Sequence, residues 1–96
     1  MSLVFEWDAR KARSNLRKHR VSFAEAVSVF GNPLARIFPD EEHSADELRE
    51  IIVGHSSAKP LLPVCFMEAR AERVRIIGAR RATRGEQCDY EEHVTD

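Results

Sequence analysis

The chain has 96 residues, of which 43% are hydrophobic and 32% charged, and its formal net charge is −1. A length of this order supports one hydrophobic core, so residues 1–96 are expected to form a single domain. The apolar content excludes wholesale disorder, no apolar run approaches the roughly 18 residues of a membrane span, and no signal peptide opens the chain, so the expected setting is the cytoplasm with no membrane partner.

Val4 to Trp7 reads as a short strand. Asp8 is placed to cap a helix over residues 9–19, whose apolar content is thin, mainly Ala12 and Leu16. Ser22 and Glu25 form an S-x-x-E capping box, flanked by Val21 and Ala26 as a weak hydrophobic staple. Phe23, Ala26, Val27 and Phe30 recur at helical spacing, and Gly31 at C′ with Pro33 beyond it closes this helix near residue 30. The period then changes. Leu34 to Phe38 suits a strand, and residues 39–47 make a polar, acidic loop. Arg49 to His55 reads as a strand with Arg49, Ile51 and Val53 on one face. After a turn at Ser56 to Pro60, Leu61 to Glu68 is a further strand, in which Pro63 removes a ladder donor and points to an edge or a bulge. A polar turn at Arg70 to Glu72 leads to a strand over Arg73 to Arg80, with Val74 and Ile76 on one face and Arg75 and Ile77 on the other. Thr83 and Glu86 form a second box, T-x-x-E, opening a helix over about 84–93 with little apolar content beyond Cys88 and Tyr90. Short connections between strands argue for antiparallel pairing. The expected fold is α+β: two N-terminal helices packed on an antiparallel sheet of about four to five strands, followed by a short C-terminal helix.

The near-neutral total conceals a segregated charge. Residues 2–21 carry six basic side chains (Arg10, Lys11, Arg13, Arg17, Lys18, Arg20) against Glu6 and Asp8, and residues 70–87 carry six more (Arg70, Arg73, Arg75, Arg80, Arg81, Arg84) against Glu72 and Glu86. Brought onto one concave wall, the two segments would make a positive field for an anionic ligand. Kept apart, they are solvated surfaces.

The run Phe5-x-Trp7-Asp8-x-x-Lys11-x-x-x-Asn15-x-x-Lys18-His19-x-Val21-Ser22-Phe23 resembles the opening of BrnT-type toxins. The segment Arg75-Ile76-Ile77-Gly78-Ala79-Arg80-Arg81-Ala82-Thr83-x-x-Glu86-x-x-x-Tyr90 resembles their closing motif, and Phe30, Asp40, Arg49, Gly54 and Leu62 fit between. The resemblance covers nearly the whole chain. It departs at Gly78, where the family often has Ser, and at Gln87, where a second basic residue often follows the Glu. The resemblance implies a RelE-like fold, ribonuclease toxicity that inhibits translation, and hetero-oligomerisation with a BrnA-like ribbon-helix-helix antitoxin, through which alone the complex would reach DNA.

RNA cleavage without a metal needs a base for the 2′-hydroxyl, cations for the crowded phosphorane and an acid for the leaving oxygen. Arginine suits the second task through its planar, permanently charged fork. Arg80, Arg49 and Arg75 sit on or just beyond strands that would hold them rigidly, and Arg81 adjoins the last helix near its positive dipole end. His19 and His55 are the candidate proton carriers, since an unperturbed imidazole titrates near pH ~6.5. His19 also stands where it would serve a helix C-terminus. Glu86 is a candidate base that the capping box also explains. Tyr90 would stack on a base, donate to a phosphate or pack the last helix. Lys11, Lys18, Arg81 and His55 are candidate RNA contacts. Trp7 and Cys65 are expected in the interior, and His43 and His93 are expected to be incidental. The His and Cys residues lack metal-ligand spacing, and no phosphate-cradling glycine motif occurs, so neither a metal nor a cofactor is expected. The competing reading is a non-catalytic module that binds a protein or RNA within a regulatory complex.

Overall fold

The computed structural model describes residues 3–41, 48–70 and 72–95. Its elements run β1 (Val4–Glu6), α1 (Ala9–His19), α2 (Phe23–Val29), β2 (Arg36–Pro39), β3 (Glu50–His55), β4 (Leu61–Glu68), β5 (Arg73–Ala79) and α3 (Arg84–Thr95). Most of the expected acidic loop, His43 included, lies outside the described residues.

Each helix starts at the cap its sequence supplies. The Asp8 carboxylate accepts the N–H groups of Arg10 (2.7 Å) and Lys11 (3.2 Å). These backbone donors, Lys11 first, hold its pKa below the ordinary value. α1 ends at Arg20, which is left-handed (φ 60°) and donates its N–H to the Leu16 carbonyl at 2.9 Å. At α2 the Ser22 hydroxyl accepts the Glu25 N–H at 3.0 Å. The Glu25 carboxylate, however, turns to the Ser56 hydroxyl (2.6 Å) and so ties α2 to the β3–β4 turn. Gly31 keeps a negative φ, contrary to its expected C′ geometry. The last turn of α2 instead tightens into i→i+3 bonds, with Phe30, Gly31 and Asn32 donating to Val27, Ser28 and Val29.

The strands form one sheet in the order β1-β5-β4-β3-β2. Pairing is antiparallel except at β1, which runs parallel to β5 with Phe5 opposite Val74. The sheet is therefore mixed rather than wholly antiparallel. The hairpin argument constrains only strands joined by short turns, and β1 and β5 are separated by every other strand and by α1 and α2.

Pro63 is the second correction. It lies in the interior strand β4, opposite Val53 of β3. On the β5 side the ladder ends at Ala79, opposite Val64, and the Pro63 carbonyl accepts the Arg80 N–H at 3.3 Å. In an antiparallel strand the N–H and C=O of one residue address the same neighbour. The donor that Pro63 lacks would thus face β5 where β5 leaves the sheet, and little pairing is lost.

α1 and α2 cover one sheet face. Val21, Phe23, Ala26 and Val29 meet Ile52, Leu62, Val64, Phe66, Val74 and Ile76 in a continuous apolar layer. Phe30 stands edge-on to both Phe5 and Phe66, with ring centroids 5.0 and 5.1 Å away. Gly54 is required there, because a Cβ would lie 2.9 Å from the Ala35 Cβ. Trp7 is not interior. It is exposed and sets its ring edgewise against Phe23. Among the described residues the opposite face is covered by α3, through a small cluster of Val53, Leu61 and Tyr90 with Ile51, Ala82 and Val94 around it.

Candidate active-site groove

Strict alternation along β5 would put Arg80 on the face of Val74 and Ile76, beneath the helices. A bulge prevents this. Phe66 faces Ile76, whereas Cys65 faces Gly78, so Ile77 is the additional residue. Ala79 is thereby turned into the core and Arg80 onto the open face. Re-aiming a side chain is a common use of bulges.

Asn15 locks this geometry. Its side-chain NH2 donates to the carbonyls of Ala79 (2.8 Å) and Val21 (2.9 Å), and its carbonyl oxygen accepts the Ala79 N–H at 3.1 Å. One buried amide thus binds α1, the α1–α2 link and the residue before Arg80. Sequence reasoning gave Asn15 no role. The signal was its place three residues after Ala12, on the side of α1 that meets the sheet.

The open face forms a groove of about 580 Å³, floored by Ile51, Pro63 and Cys65 and edged by Asn15, His19, Asp40, Arg49 and Arg80. His19 reaches it one helical turn beyond Asn15, and Arg49 enters from the approach to β3, where its carbonyl accepts the Asp40 N–H at 2.9 Å. The groove joins cations from two elements with an imidazole from a third, an arrangement that can hold a phosphodiester and move a proton beside it.

Arg80 is tightly engaged. Its two terminal nitrogens each lie 2.8 Å from an oxygen of Glu86, a bidentate pair. Glu86 Oε1 also accepts the Thr83 N–H at 2.9 Å, while the Thr83 hydroxyl oxygen accepts the Glu86 N–H at 3.1 Å, so the second capping box is complete. The Arg80 guanidinium pulls the Glu86 carboxyl down to about 2, and the same bonds raise the Arg80 pKa further. Such a carboxylate is a weak base at neutral pH, and its evident work is to aim Arg80. Cys65 is half-buried and lines the groove rather than the interior. Burial pushes its thiol pKa up, and Asp40, 3.8 Å away, adds to this against the opposing charges of Arg49 and Lys11.

The other expected residues are dispersed. Arg75 shares the open face but stands outside the groove, 3.3 Å from Glu6, which also pairs with Arg73 at 3.3 Å. Tyr90 is buried under α3 and donates its hydroxyl to the Leu34 carbonyl at 2.8 Å, and burial raises its pKa. His55 lies edge-on to Tyr90 at 5.8 Å with Nδ1 facing the Lys59 carbonyl at 2.7 Å, so that nitrogen carries the proton. Lys11, Lys18 and Arg81 are exposed and do not line the groove. His93, expected to be incidental, lines a second hollow beneath α3. The two basic segments therefore do not meet wholesale. α1 contributes His19 and Asn15, the position just after β5 contributes Arg80, and Arg49, from neither basic segment, enters just before β3. Among the described residues, no group of three or more His, Cys, Asp or Glu is placed to hold a metal ion, and no helix is long and apolar enough to cross a membrane.

Fold and groove together define a small α+β protein in which two arginines and a histidine edge one groove on the open sheet face. Residues 7–86 match the family described as ribonuclease toxin, BrnT, of type II toxin-antitoxin system. A crystal structure of the Brucella abortus ribonuclease toxin, BrnT, is similar with a TM-score of 0.65 and 26% identity, over 88% of this chain and 99% of that one. A search of curated proteins gives no match. The chain belongs to the BrnT family and is a ribonuclease toxin of a type II toxin–antitoxin system, which implies an RNA substrate and an antitoxin partner.

Proposed function

We propose that this toxin is a metal-independent endoribonuclease acting in the cytoplasm as a single domain, and that its cleavage of RNA inhibits translation. The reading rests above all on the placement of Arg49, Arg80 and His19 around one groove on the open sheet face. Arg80, aimed by Glu86, and Arg49 hold the scissile phosphate and stabilise the charge that builds on its oxygens. His19 serves as the proton carrier beside them, because imidazole is the side chain that exchanges protons near neutrality. The ribose 2′-oxygen attacks the adjacent phosphorus, its proton leaves to the base, and the 5′-oxygen departs with a proton from the acid. Lys11, Lys18, Arg81 and His55 contact the flanking strand, chiefly through phosphate charge. Arg75 and Tyr90 support the sheet edge and α3 rather than the reacting atoms. The antitoxin is a BrnA-like ribbon-helix-helix protein encoded beside the toxin, and DNA is reached through it.

The test is RNA cleavage by the purified chain with a chelator present. Arg80→Ala is expected to lose on the order of 10²–10³ in rate, the scale for removing one preorganised donor, while losing no more than about 1 kcal/mol of stability with the Glu86 pair. Full activity in Arg80→Ala would remove Arg80 from the site, and abolition by the chelator would refute metal independence. Expression of the toxin alone should arrest growth, and co-expression of the neighbouring small open reading frame should relieve it.

A further inference from the structure

α3 has little apolar surface with which to pack, yet three polar ties hold it over the sheet. Near its N-terminus Glu86 grips Arg80. At its middle the Tyr90 hydroxyl bonds the Leu34 carbonyl at 2.8 Å. Toward its C-terminus the His93 carbonyl accepts Arg36 Nη1 at 3.2 Å. A helix suspended in this way does not fill the space beneath it. A hollow of about 290 Å³ remains, floored by Phe38, Ile51, Val53 and Pro63, with Arg36 and Arg80 among its walls. Phe38 is 46% exposed although it belongs to this apolar floor.

The hollow adjoins the groove, since Ile51, Pro63 and Arg80 border both. We propose that it receives one nucleobase of the RNA strand, the base next to the phosphate held at Arg80, with Phe38 as its stacking surface. This inference rests on the ribonuclease reading above. The volume of about 290 Å³ lies just below the ~300 Å³ at which small-molecule sites typically begin, which suits a single planar ring system. The lining suits it as well. The floor is apolar, as the face of a base requires, and the walls are polar, with Arg36 and Arg80 beside the carboxylates of Glu86 and Asp89. Sequence-tolerant recognition of single-stranded RNA commonly stacks a splayed base on an aromatic ring. The three ties make the site preformed, so binding a base would not require ordering α3.

The experiment measures binding of the full chain to two strands of equal length and charge. One is a 2′-O-methyl oligoribonucleotide, which lacks the attacking hydroxyl. The other is its abasic counterpart. The wild-type protein is expected to prefer the base-bearing strand by about 5- to 150-fold, the worth of one stacked base. Phe38→Ala should abolish that preference without weakening the abasic strand, and Phe38→Tyr, which keeps the ring, should retain it. Phe38 lies on an exposed edge strand, so these variants are expected to fold, and equal melting temperatures would confirm that. An unchanged preference in Phe38→Ala, or equal weakening of both strands, would overturn the inference. Intact base preference combined with lost co-purification of the neighbouring antitoxin would assign the hollow to the protein partner and overturn it equally. If neither strand binds the wild type while unmodified RNA is left uncut, the ribonuclease reading of the groove is what fails.

Discussion

The two faces of the sheet are covered by opposite means. α1 and α2 seal one face with a dry layer of side chains that includes Leu62, Val64 and Ile76. α3 stands over the other on polar ties and one tyrosine, leaving a groove and a hollow open. Close packing stabilises the first face, because burial and dispersion scale with contact. The second keeps its volume free for a ligand and is held by directional bonds, each worth far less. Substitutions on the sealed face should therefore cost stability, and those on the open face should cost RNA cleavage.

Leu62→Ala should show the largest effect. Leu62 is fully buried in the sealed layer, and its truncation is expected to lower unfolding free energy by about 2–5 kcal/mol, read by denaturant titration. Asn15→Ala comes next and bridges the two faces. It leaves the Ala79 N–H and two carbonyls without their partner, which should cost about 1–3 kcal/mol. Because Ala79 precedes Arg80, this variant should also lose more cleavage than a core variant matched to it in stability. Equal loss in both would show that Asn15 serves folding alone.

Much of the fold was legible because the signals are local. Asp8, Ser22 and Thr83 each cap the helix that follows them, and the strand periods place Arg49, Ile51 and Val53 on one face as expected. What was not legible is non-local. Nothing near Val4 or Arg73 announces that they pair in parallel, and Pro63 reads as an edge or bulge residue until Arg80 is seen leaving the sheet opposite it. The site was half legible for the same reason. Arginine chemistry singles out Arg80 and Arg49, but only the bulge at Ile77 turns Arg80 to their common face. Arg75 looked equivalent by residue type and by its place on a strand, and its capture by Glu6 depends on the β1 pairing that no short connection signals.

A smaller effect tests whether Tyr90 belongs to the chemistry or to the roof. Its hydroxyl is spent on Leu34, so Tyr90→Phe should lower stability by about 1 kcal/mol and keep most of the cleavage. A collapse of cleavage at nearly native stability would return Tyr90 to the reaction.

The smallest effect isolates the tie at the head of α3. Glu86 titrates at about 2 in the folded chain, below its ordinary 4.5, because Arg80 and the Thr83 N–H favour the carboxylate. The folded state therefore binds this proton less readily than the unfolded state. Its stabilising contribution is complete above the ordinary value and is lost as pH falls from about 4.5 toward 2. Both partners keep about 40% of their side-chain surface in water (43% for Arg80, 40% for Glu86), and solvent screening holds the pair to no more than about 1 kcal/mol. Acid also weakens the Asp8 cap, whose carboxylate is held below its ordinary value, so wild-type melting alone is ambiguous. The informative quantity is the difference in melting temperature between wild type and Glu86→Gln, which shares the Asp8 effect and cancels it. That gap should be largest near pH 7 and close as pH approaches 2. A gap constant over this range would mean that α3 is held by its buried contacts with Val53 and Leu61, and that the carboxylate aims Arg80 without anchoring the helix.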